Sequence, residues 1–315
     1  MITVNFELIK KIREHINRTE KQAEMLVERK KWLQLTSAII ALEDTACAVQ
    51  FYISSEYPED VNGKYLYTCG LLQALFVQQD AVNHISISLF GEEVKFREMY
   101  PEAYKVREIR DDVVGHPTNR KGQYFIQLAQ ISITKQGFYY IKHDAKGTFK
   151  DIQDIHVNVL EAIEENAKCI NHVLKQVLER LELEFKSYIE AHRERKMKEI
   201  FKGLSFARQK FYDTDSIELS LWAYSATKEM VKQCEEELVK RYGSTDAKDS
   251  YKHLLGEIHE LYDLIDNDVL QMQVEIRKKL EKYLAQNLFS KLEELESYCE
   301  ETDRYFETYG RMITD

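Results

Sequence analysis

The sequence contains few of the residues that interrupt helices. Only 3 of its 315 residues are proline and 11 are glycine, so few positions force the backbone out of a helix. Leucine, isoleucine, glutamate, lysine and glutamine recur throughout, and these residues are common in long helices. A chain of this length can also bury a sizeable core, in one large or two smaller domains. We therefore predict a mostly α fold.

Cysteines are scarce and widely separated. They show neither a CxxC pair nor the spacing of a metal-ligand set, and they are Cys47, Cys69, Cys169, Cys234 and Cys299. Scattered thiols are typical of reduced proteins, which argues against a disulfide framework and against structural zinc. The sequence also lacks a glycine-rich phosphate loop and the G-x-S-x-G and H-E-x-x-H motifs. We expect neither a metal nor a cofactor.

Long apolar runs and a positive net charge are missing too. No stretch approaches the roughly 18 uncharged apolar residues of a membrane-spanning helix, and the first residues become highly charged before a signal-peptide core forms. The formal net charge of -10 excludes a protein that is basic overall, although it is compatible with a local basic groove. We predict a cytoplasmic protein with no membrane partner.

Hydrophobic periodicity predicts four helices in the first part of the chain. Along Val4–Lys30, apolar residues recur at helical spacing opposite a strongly charged face. Trp32–Ile53 and Tyr65–Phe90 are far more apolar, so we expect them to be core helices. Proline suits the first turn of a helix, and Pro101–Gly115 is therefore predicted as the fourth.

The pattern changes after this helical part. Residues 123–152 mix β-branched and aromatic residues with glycines at turn points, which predicts an antiparallel ribbon of two or three strands. Apolar spacings of three, four or seven predict one long amphipathic helix over Ile152–Lys202, followed by charged helices with a break near Tyr242–Ala247. The predicted parts are a helical bundle at 1–122, a β-ribbon insertion at 123–150 and a long-helix region at 151–315.

The stretch Arg107–Arg120 concentrates reactive side chains beside a helix end. It reads R-E-I-R-D-D-V-V-G-H-P-T-N-R and contains Arg110, Asp111 and His116. Arginine carries a permanent charge and a planar fork of donors that suits a phosphate, whereas histidine exchanges a proton near neutral pH. The combination suits phosphodiester chemistry on RNA, in which an imidazole takes the proton of a 2′-hydroxyl that attacks the adjacent phosphorus.

Arg110 and His116 do not share a face of an ideal helix, because six residues at about 100° each place them some 120° apart. Gly115 and Pro117 end the helix and could let His116 turn back toward Arg110. A two-fold dimer that brings two copies of the motif to one cleft is the other solution. An arginine and a histidine at this spacing occur roughly once by chance in such a chain, so the surrounding residues must carry the signal.

Those surroundings resemble the HEPN superfamily, whose signature is an arginine, a polar residue, further intervening residues and a histidine. The resemblance covers Trp32–Arg120, where two apolar helices precede the motif and a proline follows the histidine. Arg110, Asp111 and His116 match the signature position by position. Asp111 stands where asparagine is frequent, and His116 lacks the nearby tyrosine of toxins that are inactivated by nucleotidylation.

The resemblance implies a helical bundle that forms a homodimer, with paired motifs building a composite, metal-independent ribonuclease site. Such domains commonly act as toxins or phage-defence effectors, which implies RNA as the substrate and a regulatory protein or antitoxin as a further partner. His116 would then be the general acid/base, Arg110 would bind the scissile phosphate, and Asp111 would orient one of them. The structural alternative is a helix-end salt bridge from Arg110 to Asp111 or Asp112, with His116 capping carbonyls.

Three acidic residues are candidates for supporting roles. Glu43 and Asp44 interrupt an apolar helix, so we expect them to neutralise a buried arginine such as Arg110. Asp80 and His84 lie four residues apart and would share a helix face. They would belong either to the same polar cluster or to a solvated stripe.

A basic run in the long-helix region is a candidate RNA-binding segment. Its cationic members are Arg193, Arg195, Lys196 and Lys198. They could contact RNA phosphates, although such a run is more often the solvated end of a helix. Two other functions also fit the sequence as a whole: a non-catalytic helical dimer that acts as a scaffold, and an RNA-binding subunit that does not cleave.

Overall fold

The computed structural model describes residues 2–120, 122–144, 146, 152–212, 217–267 and 274–314. The chain is mostly α-helical with one small antiparallel sheet, which confirms the predicted fold class. The elements are α1 (Phe6–Ile16), α2 (Thr19–Leu26), α3 (Arg29–Ser54), α4 (Val61–Phe90), α5 (Phe96–Met99), α6 (Pro101–Arg110), β1 (Tyr124–Leu128), β2 (Gly137–Asp144), β3 (Ile152–Asn158), α7 (Val159–His192), α8 (Leu204–Tyr212), α9 (Ile217–Tyr242), α10 (Asp249–Asn267) and α11 (Val274–Thr314). No helix within the described ranges is long and apolar enough to cross a membrane.

The chain packs as two compact units. Unit 1 comprises Met1–Ile16 and Glu28–Leu181, and unit 2 comprises Asn17–Val27 and Glu182–Asp315. Helix α7 contributes residues to both units. The three-part division expected from the sequence stays a prediction, and each unit is described by itself.

Unit 1 is built on the antiparallel hairpin of α3 and α4. The Asp60 carboxylate accepts the N–H of Gly63 at 2.8 Å and caps α4, which therefore begins at Val61, four residues earlier than predicted. Gly91 adopts φ 72° and ends α4 at the predicted residue, because a residue without Cβ enters the left-handed region at little cost. Core side chains of this hairpin include Val49, Tyr52, Leu71, Leu72 and Leu75.

The ribbon is a three-stranded antiparallel sheet in the order β1-β2-β3. Phe138 lies opposite Val157, and both side chains are buried in the core of unit 1. The third strand corrects one prediction, since Ile152 and Ile155 belong to β3 and α7 begins only at Val159. Isoleucine at every third position fits a helix, but the β-branched residues concentrated in this segment favour a strand.

Helix α6 leads directly into the predicted motif. It begins at Pro101 as expected, and its regular turns end at Arg110. The next residues, Asp111–Gly115, form one turn of π-helix. Within this turn Val113 is buried in the same core as Val106 of α6. The hydrophobic core therefore fixes the position of the turn.

The regular elements in the described part of unit 2 are all helices. Helix α2, the end of α7 and helices α8 to α11 surround a core that includes Phe201, Tyr251, Ile258, Leu288, Phe289 and Leu292. Cys234 and Cys299 meet in this core with their Sγ atoms 3.6 Å apart. All five cysteines of the chain are free thiols.

Two predicted helices have different bounds in the structure. The helix expected over Val4–Lys30 divides into α1 and α2 around Asn17 and Arg18. Helix α7 ends at His192, ten residues before the predicted Lys202, and residues 193–196 are not helical before a 3-10 helix begins at Met197. The predicted break after α9 is confirmed, and Gly243 adopts φ 74° at that point.

Candidate active site

The π-type turn after α6 presents the histidine of the motif. The N–H of His116 donates to the carbonyl of Asp111 at 2.8 Å, which spans one residue more than an α-helical hydrogen bond. His116 then leaves the helix with φ −140° and ψ 52°, and its side chain is exposed. The described residues provide its imidazole with no hydrogen-bond or ion-pair partner. Single π turns are frequent at functional sites, and this one ends with a histidine that is open to solvent.

Arg110 is held by three side chains. Its Nε donates to Gln73 Oε1 of α4 at 2.9 Å, and its Nη1 donates to Asp111 Oδ1 at 3.0 Å. The guanidinium carbon lies 4.5 Å from the ring centroid of Phe76, which is a cation–π contact. About a fifth of the side chain, 21%, remains exposed. A guanidinium fixed in this way loses little rotamer freedom when it binds a ligand.

Gly115 makes room for that guanidinium. A Cβ at this position would lie 3.1 Å from Arg110 Nη1, which is closer than nine in ten Cβ contacts in proteins. Gly115 does not have a positive φ, so the close approach is what favours glycine here. The small residue before the histidine therefore has a physical role in seating the arginine.

A second set of charges joins the π turn to the residues after it. Arg120 Nη1 lies 2.9 Å from Asp111 Oδ2, and Arg120 Nε lies 3.0 Å from Asp112 Oδ1. The contact with Asp112 Oδ1 is an ion pair that lacks the alignment of a hydrogen bond. Asp112 is buried, and its Oδ2 accepts Lys142 Nζ at 3.1 Å and the Tyr140 hydroxyl at 3.2 Å. Through these ion pairs Arg120 connects the loop that follows His116 to the start of the π turn.

Tyr140 remains a neutral donor in this cluster. Burial raises the pKa of its hydroxyl, and the negative charge of Asp112 raises the pKa further. The proton therefore stays available for the hydrogen bond to Asp112. Since a buried carboxylate needs partners, the donors from β2 and Arg120 explain how Asp112 is accommodated in the core.

Arg107 repeats the arrangement of Arg110 one turn earlier on α6. Its Nε donates to Gln79 Oε1 at 2.9 Å, and its Nη2 pairs with Asp80. Its guanidinium carbon also lies 4.5 Å from the ring centroid of Phe76. Two arginines of α6 therefore share one aromatic ring of α4.

A buried amide network fixes Gln79 in turn. Its Nε2 donates to the carbonyl of Ala103 at 2.7 Å and to Asn166 Oδ1 at 2.8 Å. Asn166 Nδ2 donates to Gln78 Oε1 at 2.8 Å. These bonds join α4, α6 and α7 within unit 1, so the helix that carries the arginines is held in register with the helix that carries the ring.

The structure brings some of the predicted site residues together. Arg110 and Asp111 are in direct contact, and Asp80 belongs to the adjacent cluster as the partner of Arg107. His116 follows on the same turn, although no hydrogen bond joins it to Arg110 or Asp111 through side chains in the described part of the chain. The catalytic roles of these residues stay predictions.

The predicted roles of the two acids on α3 need correction. Glu43 pairs with Arg13 of α1 at 2.5 Å, and Asp44 is exposed, so neither neutralises Arg110. The face of α3 that carries Glu43 packs toward α1, and one residue later the helix has turned toward solvent. His84 is also exposed, and its Nδ1 lies 2.8 Å from Gln34 Nε2.

The basic run of unit 2 faces acidic side chains. Arg195 pairs with Glu237 at 3.1 Å, Lys196 with Glu307 at 2.6 Å, and Lys198 with Glu300 at 3.2 Å. Arg193 lies against Gly310 of α11, in a surface cleft that Lys196 and Glu307 also line. The acids lower the net positive charge of the run. Its role in RNA binding stays a prediction.

Several residues of the site are not evident from the sequence. They are Gln73, Phe76, Arg107, Arg120 and Lys142, while Asp112 was predicted only as an alternative salt-bridge partner of Arg110. Arg107 and Arg120 bound the motif stretch, and Asp112 lies inside it, so the density of charge around Arg110 was the available signal. Gln73 and Lys142 come from α4 and β2, and no local pattern links them to the motif.

The arrangement combines a fixed cationic group with an exposed proton-transfer group. A guanidinium can bind a phosphate oxygen through its planar donors, and an imidazole can accept or donate a proton near neutral pH. A scan against models of protein families and searches of curated proteins and of solved structures gave no match. The geometry and chemistry of the site therefore carry the functional argument.

Proposed function

We propose that the protein is a metal-independent, HEPN-like endoribonuclease that acts in the cytoplasm as a toxin or a phage-defence effector. One observation carries the proposal. Arg110 is fixed by Gln73, Phe76 and Asp111, whereas His116, on the same π turn, is exposed and has no partner among the described residues. An anchored guanidinium and an uncommitted imidazole within one turn supply a phosphate-binding group and a proton-transfer group.

In the proposed reaction the 2′-hydroxyl of RNA attacks the adjacent phosphorus. His116 accepts the hydroxyl proton as the bond between the 2′-oxygen and phosphorus forms. Arg110 stabilises the negative charge that grows on the phosphate oxygens. The bond between phosphorus and the 5′-oxygen then breaks, and that oxygen takes a proton from an acid, in a composite site the second copy of His116. The products are a 2′,3′-cyclic phosphate and a free 5′-hydroxyl.

A homodimer would supply the second motif, and one face of α3 offers a surface for it. Leu33, Ile40 and Phe51 are exposed on this helix. Their separations of seven and eleven residues correspond to about two and three helical turns, so the side chains lie along one stripe. Exposed apolar stripes of this kind are typical of helix-to-helix interfaces. A regulatory protein or antitoxin is a further proposed partner.

The first experiment incubates the purified protein with a mixed pool of tRNA and single-stranded RNA in EDTA, beside the His116→Ala variant. The parent should release fragments with cyclic-phosphate ends, and the variant should be at least about 100-fold slower. Because the imidazole is exposed, the substitution should change the free energy of unfolding by no more than about 0.5 kcal/mol. Denaturation curves of both proteins provide the folding control.

Absence of cleavage by a folded, dimeric parent, in this pool and in total cellular RNA, would reject the ribonuclease. Equal cleavage by parent and variant would reject His116 as the proton-transfer group. Either result can be read without further assumptions, because the variant is tested for folding in the same preparation.

A non-catalytic helical dimer is the second candidate, and the ion pairs of the motif favour it. Asp111 and Asp112 neutralise Arg110 and Arg120 within the chain, as they would at a purely structural helix end. Arg110→Gln separates the two functions. An enzyme would keep its fold and lose cleavage, whereas a scaffold would lose stability or assembly.

A further inference from the structure

We propose that Arg107 is a second phosphate-binding residue, so that Arg107 and Arg110 together hold neighbouring phosphates of one RNA strand. This inference rests on the proposed ribonuclease function and deepens it. The resemblance to HEPN domains concerns Arg110, Asp111 and His116, whereas Arg107 enters only through its geometry.

The two arginines occupy equivalent positions around Phe76. Gln73, Phe76 and Gln79 succeed one another at intervals of three residues along α4, and each outer glutamine accepts the Nε of one arginine at 2.9 Å. Both guanidinium carbons lie 4.5 Å from the ring centroid of Phe76. The repeat of amide, ring and amide on α4 thus fixes two guanidinium groups that are three residues apart on α6.

Both guanidinium groups keep donors for a ligand. A guanidinium has five N–H donors, and the contacts with the glutamines and aspartates use the Nε and one Nη atom of each arginine. The exposed fractions of the two side chains are nearly equal, 22% for Arg107 and 21% for Arg110. The donors are therefore held in place and remain accessible.

Each arginine also has one displaceable acidic partner. Asp80 pairs with Arg107, Asp111 pairs with Arg110, and both carboxylates are more exposed than their arginines. Ion pairs with solvent access contribute about 1 kcal/mol or less, so a phosphate diester can compete for the same donors. In the free protein Asp80 would thus weaken RNA binding by occupying Arg107.

Removal of the Asp80 carboxylate distinguishes phosphate binding by Arg107 from a purely structural role. If the pair of Arg107 and Asp80 only stabilised unit 1, then Asp80→Asn would leave RNA binding unchanged or weaken it. If Arg107 binds phosphate, removing the competing carboxylate should tighten RNA binding by about twofold to fivefold. Arg107→Gln should act in the opposite direction.

The experiment measures binding of a labelled random-sequence single-stranded RNA across a series of KCl concentrations. All variants carry His116→Ala, which prevents cleavage during the titration, and cleavage by the parent is assayed in parallel. Arg107→Gln should weaken binding about tenfold and make the salt slope of log K less negative by about 0.7, the value for one lost phosphate contact on a single strand. Arg97→Gln is the matched control, since Arg97 is an exposed arginine of α5 outside the cluster.

The outcomes separate this inference from the function on which it rests. If the parent cleaves RNA while Arg107→Gln binds with the same affinity and salt slope as Arg97→Gln, the role of Arg107 is rejected and the ribonuclease stands. If the parent neither binds nor cleaves RNA, the proposed function fails, and this inference fails with it. Should Arg107→Gln not fold, Asp80→Asn decides: tighter binding supports the phosphate contact, and unchanged or weaker binding overturns it.

Discussion

Two arginine clusters in this molecule have similar chemistry but differ in their exposure to solvent. In unit 2, the Arg241 guanidinium carbon lies 4.6 Å from the ring centroid of Phe306, and its Nε is 3.1 Å from a Glu237 oxygen. In unit 1, Arg110 lies 4.5 Å from the centroid of Phe76 and 3.0 Å from an Asp111 oxygen. None of the Arg241 side chain is exposed, against 21% of Arg110.

The partners of the two arginines differ in the same direction. Arg241 donates to the carbonyls of His192 and Arg195, at and just beyond the end of α7, and it lies 3.9 Å from Asp303. It therefore holds the backbone where the long helix stops. Within the described ranges the hydrogen bonds of the Arg110 guanidinium go to the side chains of Gln73 and Asp111, and Asp111 is partly exposed. Burial makes the first cluster a structural one, whereas in the proposed function a phosphate would displace the partly exposed acid of the second.

Arg241→Ala is the substitution with the largest expected effect on unfolding free energy. The substitution removes the fully buried cation beside Glu237 and Asp303 and leaves Glu237 only the half-exposed Arg195 as an arginine partner. Breaking a buried pair in this way should cost about 4 kcal/mol of unfolding free energy. Arg208→Ala removes a half-exposed surface pair with Glu293 and should cost about 1 kcal/mol or less. Urea denaturation measures both. Equal losses in the two variants would show that burial does not separate the clusters energetically.

The second test stays within the motif, where two adjacent aspartates differ in burial. Asp112→Asn should cost about 3 kcal/mol, because Lys142 and Arg120 would face a neutral and nearly buried amide. Asp111→Asn should cost about 1 kcal/mol or less, since that carboxylate is partly exposed. Denaturation curves of the two variants are the measurement. If Asp111→Asn is the more destabilising of the two, burial does not determine which carboxylate contributes more to stability.

The third test uses alkaline pH, because burial raises the pKa of Tyr242 to about 12. An unfolded tyrosine has a pKa near 10, so above pH 10 the folded state keeps a proton that the unfolded state loses. The contribution of Tyr242 to stability is complete below pH 10 and falls as pH rises toward 12, by about 1 kcal/mol at pH 11.

Tyr242→Phe separates the contribution of Tyr242 to the pH dependence of stability from the contributions of the other tyrosines. Between pH 8 and pH 11 the variant should lose about 1 kcal/mol less unfolding free energy than the parent. Parallel curves for parent and variant would mean that Tyr242 is hydrated in the folded state, and the interior of unit 2 would then be less protected from water than the buried cluster implies.

The sequence predicted what depends on local pattern. The apolar runs of α3 and α4, the helix stop at Gly91 and the end of the motif helix near Gly115 all follow from composition and periodicity within a few residues. The helix predicted over Ile152–Asn158 was wrong, because a short run of β-branched residues fits a strand as well as the start of a helix. Only pairing with β2 decides between the two.

The candidate site was predictable only in part, for a related reason. Arg110, Asp111 and His116 are close together in the chain, so a motif could identify them. The residues that surround them come from other elements: Gln73 and Phe76 of α4 contact Arg110, and Lys142 of β2 pairs with the neighbouring Asp112. Glu43 was assigned to Arg110 because an acid in an apolar helix needs a cation, and the sequence does not show that Arg13 is nearer.

Gly115→Ala should have a small effect on stability and a larger effect on activity. The added Cβ would meet Arg110 Nη1 at 3.1 Å, and the end of a long side chain can give way by a few tenths of an ångström. Unfolding free energy should change by less than about 1 kcal/mol, since the helix preference of alanine offsets the crowding. The displaced guanidinium should reduce the proposed RNA cleavage several-fold, because catalysis depends on placement far more steeply than stability does.

Gly256→Ala is the matched control for that change. This glycine lies in α10, and a Cβ added to it would meet no atom within 4 Å, so alanine should stabilise the helix slightly and leave cleavage as it is. Single-turnover cleavage assays and denaturation curves of both variants give the comparison. If Gly115→Ala cleaves RNA at the parental rate, the close contact between the Arg110 guanidinium and Gly115 is not needed for cleavage. The accessible cluster would then resemble the buried one, a set of contacts that holds the helix end and does nothing more.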